Sequence, residues 1–389
     1  MFYSLVFVFL CLFSIIEIFN KSRYNNKLFI IASLILLIIS GFRYETGGDW
    51  QSYTLVFEQI ESIWDILKGN NNGFYTHNIE IGFKLLVSFA KGIINNVQFL
   101  FFIVSCILVF FLYKSIRTYS KYAILSLIIY YSTLYFQLDF IAIRQGIAVM
   151  IFFYSIKFIY EKNKIKYFTF IFIAGLFHTT AFLLLPLYYF LGRSYSTAKI
   201  CVVFFVSNLL YLLNIRWLTG TLTLLIPQLS GIISFKMEQY SLDSARSISF
   251  GFFINIILFI LFMIRKKYLL KNKYFNIFFN IFLLYIVVYL VFFELLVISN
   301  RFRLYFSISQ VILLPMVVYS FKKISNKIYI YIYVIMFSFM SSRFIYLEQI
   351  GGIAYNPYQN YVIYKIFGLE STGVKRLEIS DENYENNKN

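Results

Sequence analysis

Charge is scarce in this chain of 389 residues: 14% of its side chains are Asp, Glu, Lys or Arg against 60% hydrophobic ones, and the mean hydropathy is +0.72. A water-soluble fold cannot hide that much apolar surface, which excludes the soluble classes. Acid is scarcer still, with 18 Asp and Glu against 35 Lys and Arg. In a soluble protein the resulting charge of +17 would suggest nucleic acid. Here the basic residues concentrate in short links between apolar runs, as the positive-inside rule requires, so no nucleic-acid partner is expected and the charge marks a cytoplasmic side. Cysteine is nearly absent. Cys11, Cys106 and Cys201 each sit alone in an apolar run with no CxxC pair, so neither a disulfide framework nor a metal site is expected. Also missing are a Walker loop, a Rossmann glycine pattern, a zinc motif, a nucleophile elbow and any repeat; no ATP use and no cofactor is expected.

What is present is a succession of apolar runs long enough to cross a bilayer. The expected fold is all-α, a polytopic helical membrane protein of roughly 10–13 transmembrane helices. Residues 1–368 form one membrane domain with an external loop at 43–78, and residues 369–389 a polar tail expected to be disordered. Lys21, Arg23 and Lys27 follow the first run, which argues against a cleaved signal and places the amino terminus outside. The second run, Leu28 to Phe42, leads to a polar segment whose charges are mostly acidic, fitting an external loop. Ile79 to Ile94 carries Glu80, Lys84 and Lys91, and the charge rule favours a non-spanning or partly inserted helix, re-entrant or interfacial. Tyr167 to Phe190 reads as a single outward span, with His178 near its midpoint and Pro186 in its outer third, where a kink would open a cavity. Between residues 198 and 227 the pattern leaves the number of spans open. Asn300 to Arg303 breaks the positive-inside pattern and is read as external, and the final span, Ile328 to Leu347, puts Arg343 and Glu348 near the outer face.

Several polar residues stand out against this background. Arg43 to Tyr53 reads as a tight turn entering an amphipathic helix, Gly47 and Gly48 allowing close backbone approach and Asp49 placed to cap. It offers a cation for phosphate and an acid beside an aromatic ring, a combination suited to a sugar, while a capped interfacial helix is the plainer account. Arg144-Gln145 opens one apolar helix and Phe177-His178 lies within the next. Ionisable groups in hydrocarbon are costly and point to function, while a snorkelling arginine and a hydrogen-bonded core histidine are the plainer accounts. Arg43, Asp49, Asp139, Arg144, Arg301, Arg303 and Arg343 all map to the outer half, and His178 reaches towards it. Cations so grouped suit a pyrophosphate at the lipid boundary, and a neutral histidine among them suits a base for a hydroxyl. The implied chemistry is glycosyl or phosphoryl transfer from a lipid-linked donor.

Arg43 with Gly48-Asp49-Trp50 and Tyr53, then Glu80-Ile81-Gly82-Phe83, Arg144-Gln145 with Ala148, Phe177-His178 with Ala181, and Arg301 with Tyr305-Phe306 follow one another in a telling order. The sequence resembles, over most of its length, the EpsG-like family of Wzy-type polysaccharide polymerases. That resemblance implies a multi-pass protein of the bacterial inner (plasma) membrane with its active site on the outer face. It implies a metal-independent membrane glycosyltransferase that joins undecaprenyl-pyrophosphate-linked oligosaccharide repeat units en bloc into lipopolysaccharide O-antigen, capsule or exopolysaccharide. Arg43, Arg144 and Arg301 would hold the pyrophosphate and His178 or Asp139 would activate the acceptor hydroxyl. Asp49, Tyr53, Gln145, Arg303 and Arg343 complete the expected substrate-binding set. Expected partners are the lipid-linked oligosaccharide, the bilayer and a chain-length regulator. Three other classes fit parts of the pattern, of which a purely structural or export-channel protein would need none of the external arginines. A lipid-linked oligosaccharide flippase would share the basic lining but show paired halves with corresponding broken helices. A membrane acyltransferase would also use an intramembrane histidine, facing a cytoplasmic donor.

Overall fold

Apolar runs that must leave no peptide N–H or C=O bare in hydrocarbon close their hydrogen bonds within themselves, and the computed structural model is helical accordingly. It describes residues 1–19, 24–76, 78–217, 221, 250–342 and 352–386. Among them, 5 helices are long and apolar enough to cross a membrane, shorter apolar helices accompany them, and no β-strand occurs. The architecture is the expected all-α polytopic one.

Helices α1 (Phe2–Phe19) and α2 (Tyr24–Gly41) lead to a polar loop holding α3 (Trp50–Gln59), α4 (Ile63–Leu67), α5 (Asn72–Thr76) and α6 (Ile81–Ile93). Then follow α7 (Val97–Tyr119), α8 (Ala123–Ile141), α9 (Ile143–Tyr160), α10 (Lys164–Phe177), α11 (Thr179–Leu191) and α12 (Thr197–Leu212). Beyond residue 249 come α13 (Phe250–Leu269), α14 (Phe275–Val291), α15 (Leu296–Tyr319), α16 (Ile324–Met340), α17 (Tyr361–Ile366) and α18 (Gly373–Asn386). Helices α8 and α9 lie at the centre with most of their surface enclosed, while α1, α12, α13 and α16 expose rows of Leu, Ile, Val and Phe suited to lipid.

Side-chain contacts sort the helix ends into two faces. At one, Glu17 of α1 accepts from the N–H groups of Ile124 and Leu125 opening α8, and Tyr119 closing α7 accepts from the N–H of Lys157 at 2.8 Å. Lys266 of α13 reaches Thr197 opening α12, and Arg265 bonds Ser320 beyond α15. This face, with Lys157, Lys164, Lys266 and Lys267, is the basic end. At the other, Gln98 opening α7 donates to the carbonyl of Gly41 closing α2 at 2.7 Å, and Tyr3 donates to Tyr355 at 3.0 Å. We call this the site end.

Helix α6 begins and ends at the site end. Its Glu80 cap meets Arg144, its Lys91 donates to the carbonyls of Phe57, Glu58 and Ile60, and α7 starts at that same face. It lies across the bundle without traversing it.

Two expectations are corrected. Tyr167 to Phe190 is no single span: α10 rises from the basic end, the chain turns at His178, and α11 descends against it. Phe182 of α11 packs on Gly175 of α10, where a Cβ would lie 2.4 Å from its ring, and Tyr167 donates to Leu184 at 2.8 Å. Arg193 and Lys199 therefore lie at the basic end, which restores the charge pattern in this part of the chain. The stretch expected as a disordered tail contains α18, whose Arg376 is 5% exposed and donates to the carbonyls of Pro357 and Glu45.

Candidate functional site

Two interruptions of α-helical bonding bring polar side chains together at the site end. From Tyr131 to Ile141 α8 widens to π-type bonding, closing with the Ala142 N–H on the Gln137 carbonyl at 2.8 Å. The chain breaks at Ala142 and α9 restarts at once, so Arg144 and Gln145 fall in the first turn of a new helix. The second interruption is the turn at His178. There an extended residue caps α10 before the tight 3₁₀ turns of α11 begin. His178 stands at the tip of a hairpin and not within a span.

Between α3, α8, α9, α13, α14, α15, α16 and this tip lies a cavity of about 660 Å³. Of the expected site residues, Asp49, Tyr53, Arg144, Gln145, His178, Arg301 and Arg303 line it. Arg144 forms an ion pair with Glu80, whose other oxygen faces the Thr179 N–H at 3.5 Å, so one carboxylate ties the arginine to the histidine tip. His178 Nδ1 is bonded to Thr180 Oγ1 at 2.6 Å, and Thr180 to the Tyr305 hydroxyl at 3.1 Å. This fixes the ring and leaves Nε2 as the nitrogen available to the cavity. Gln145 donates to the Arg301 carbonyl at 2.6 Å, joining α9 to the first turns of α15. Arg303 lies over the Tyr285 and Tyr289 rings and donates to Asn300 at 3.2 Å.

Asp49 holds the N-cap position of α3, yet its side chain makes no cap bond and turns to the cavity. Burial pushes its carboxyl above the usual range, while the charges of Arg43 and Arg144 pull the other way. Gly47 makes this turn possible, at φ +107° with Arg43 3.3 Å from where a Cβ would stand.

Arg43 and Asp139 do not line the cavity. Arg43 is 1% exposed, lies between the Phe101 and Phe140 rings, and donates to the Phe140 carbonyl at 2.6 Å. Asp139, close by in the π segment, accepts from the Tyr130 hydroxyl. Both stand behind the wall that Tyr53 completes by donating to the Ile141 carbonyl at 3.1 Å. Arg343 lies outside the described residues.

Sequence reasoning assigned no role to Glu80, Thr180 or Tyr305, and overlooked the deeper lining residues Asn255, Ser307 and Gln310. A signal for the last two was present. Arg303, Ser307 and Gln310 are spaced i, i+4, i+7, one polar stripe running along the helix. Among the described residues no group of three or more His, Cys, Asp or Glu is placed to hold a metal ion.

The profile of the EpsG family matches residues 26–360. No curated protein and no solved structure matches the chain.

Proposed function

The chain belongs to the EpsG family, whose members are Wzy-type polymerase-like, and on that premise we propose that it joins lipid-linked oligosaccharide repeat units into a surface polysaccharide at the outer face of the inner membrane. The observation that carries this reading is the convergence of Arg144, Arg301 and Arg303 on one cavity with His178. Guanidinium groups offer planar, paired donors to phosphate oxygens, and three of them match a pyrophosphate better than they match a neutral lipid. The lysine-rich opposite face supports the orientation, with the cavity turned outward.

In this mechanism the arginines hold the pyrophosphate of the lipid carrying the growing glycan. The reaction uses the tautomer in which Nδ1–H of His178 donates to Thr180, so that Nε2 takes the proton of the acceptor sugar's hydroxyl. That oxygen attacks the anomeric carbon and the new glycosidic bond forms. The bond from anomeric carbon to phosphate oxygen breaks, and its electron pair leaves with undecaprenyl pyrophosphate, whose charge the arginines stabilise. The proton on His178 then passes to solvent. Asp49 accepts from a sugar hydroxyl, Gln145 and Tyr53 position the arginine-bearing helices, and Arg43 and Asp139 brace the wall behind them.

A deletion strain tests the reading. Surface glycan reduced to a single repeat unit on its anchor is the expected outcome. Complete loss of surface glycan, with lipid-linked units trapped inside, would identify a flippase instead.

A further inference from the structure

Below the arginines the cavity continues into the bundle, and its lining changes from charged to neutral amide and hydroxyl. Arg303, Ser307 and Gln310 run down one face of α15, Gly251 and Asn255 down α13, and Gln137 and Thr133 down α8. Gln310 lies nine residues past Arg301, about 13 Å deeper at 1.5 Å per residue. Asn255 stands at the same level. Arg265 of α13 bonds Ser320 beyond α15, and Asn255 and Gln310 each lie ten residues before that contact on helices running in the same direction.

These two amides are each 6% exposed, and among the described residues neither has a hydrogen-bond partner. Both line the cavity, so their amide groups are open to whatever fills it. Two at one level, both turned into one cavity, form a site waiting for donors and acceptors. They accept and donate at once, as vicinal hydroxyls require. An acidic sugar is unsuited here, because the cations stand at the mouth and the deep wall offers none.

We propose that Asn255 and Gln310 form a subsite for an uncharged, hydroxyl-bearing sugar residue of the lipid-linked repeat unit, held deep in the cavity while its pyrophosphate rests on the arginines. The proposal rests on the polymerase reading. It separates recognition of the glycan, by neutral amides, from recognition of the lipid's charge.

The experiment measures binding to the full-length protein in nanodiscs with two probes. One is undecaprenyl pyrophosphate without sugar; the other is the lipid-linked repeat unit extracted from a strain lacking this protein. The wild type should bind the glycosylated lipid more tightly. Gln310→Leu and Asn255→Leu should each remove about tenfold of that preference while leaving the sugar-free lipid unaffected. Gln310→Met, closer to glutamine in shape, guards against a packing effect and should behave as Gln310→Leu does. Equal loss of affinity for both lipids, or a preference that survives in the double variant, overturns the subsite. Failure of the wild type to bind either lipid is a separate result, which sinks the polymerase reading and the subsite with it.

Discussion

Arg43 with Asp139 and Arg144 with Glu80 use the same residue types to opposite ends. Arg43 is sealed: its charge faces two phenylalanine rings and one carbonyl, and Asp139 beside it is held by Tyr130. Arg144 is open, its side chain 31% exposed and paired to a carboxylate only 13% exposed, with donors left over for the cavity. The sealed set fixes where the π segment ends, and therefore where α9 begins. The open set is what that placement delivers. Charge at the site end of the bundle thus divides into groups sealed behind the wall and groups open to the cavity, and sequence position alone pools the two.

Substitution should pull the two sets apart. The largest effect is expected at His178→Gln, which keeps a hydrogen bond but not the base; polymer formation should fall by about a hundredfold or more with membrane-fraction protein unchanged. Arg301→Lys keeps charge and loses the planar fork, so chains should shorten and polymer fall by about tenfold to a hundredfold, again at constant protein level. Long chains persisting in both variants would show that the open set does not act on substrate. Arg43→Met tests the other side. It should destabilise the fold by about 3 kcal/mol, read as a lower unfolding temperature in detergent, while polymer made per folded molecule stays near normal. Lost polymer at wild-type stability would move Arg43 into the ligand's company and dissolve the distinction. The smallest perturbation is cysteine labelling. A cysteine replacing Ser194 should resist an impermeant reagent in intact cells, and one replacing Asn214 should react, since α10 and α11 form a hairpin; reaction at 194 would restore a single span there.

The helical membrane class, the polar loop and most helix ends could be read from apolar length and basic links, because both signals are local. The hairpin could not. Hydropathy records that Tyr167 to Phe190 is apolar but not which way the chain runs, and no charge interrupts it at the turn. Only His178, Thr179 and Thr180 mark the reversal, three polar residues that also suit a buried site. The arginines were recognisable as a group, since each stands out against hydrocarbon. Their division into sealed and open was not, because it depends on rings and carbonyls brought from α7 and α8. Asn255 and Gln310 escaped notice for another reason: an uncharged amide barely disturbs an apolar run, and its lack of a partner is visible only after neighbouring helices are in place. The α18 helix was hidden by its low hydropathy, though Arg376 anchors it.

That anchor bears on the order in which the molecule is assembled. Arg376 reaches back to the carbonyl of Glu45, and a Cβ at Gly373 would stand 2.3 Å from the Glu45 side chain, so one of the last helices seats against the first polar turn. The same turn presents Asp49 to the cavity. During synthesis the Glu45–Asp49 turn leaves the ribosome more than three hundred residues before its clamp does. The cavity's mouth is therefore finished late, after the helices around it have inserted, and a chain interrupted before residue 373 would keep the bonds from Tyr44 and Gly47 to the carbonyls of Gln359 and Ala354 but lose the clamp of Arg376 on Glu45.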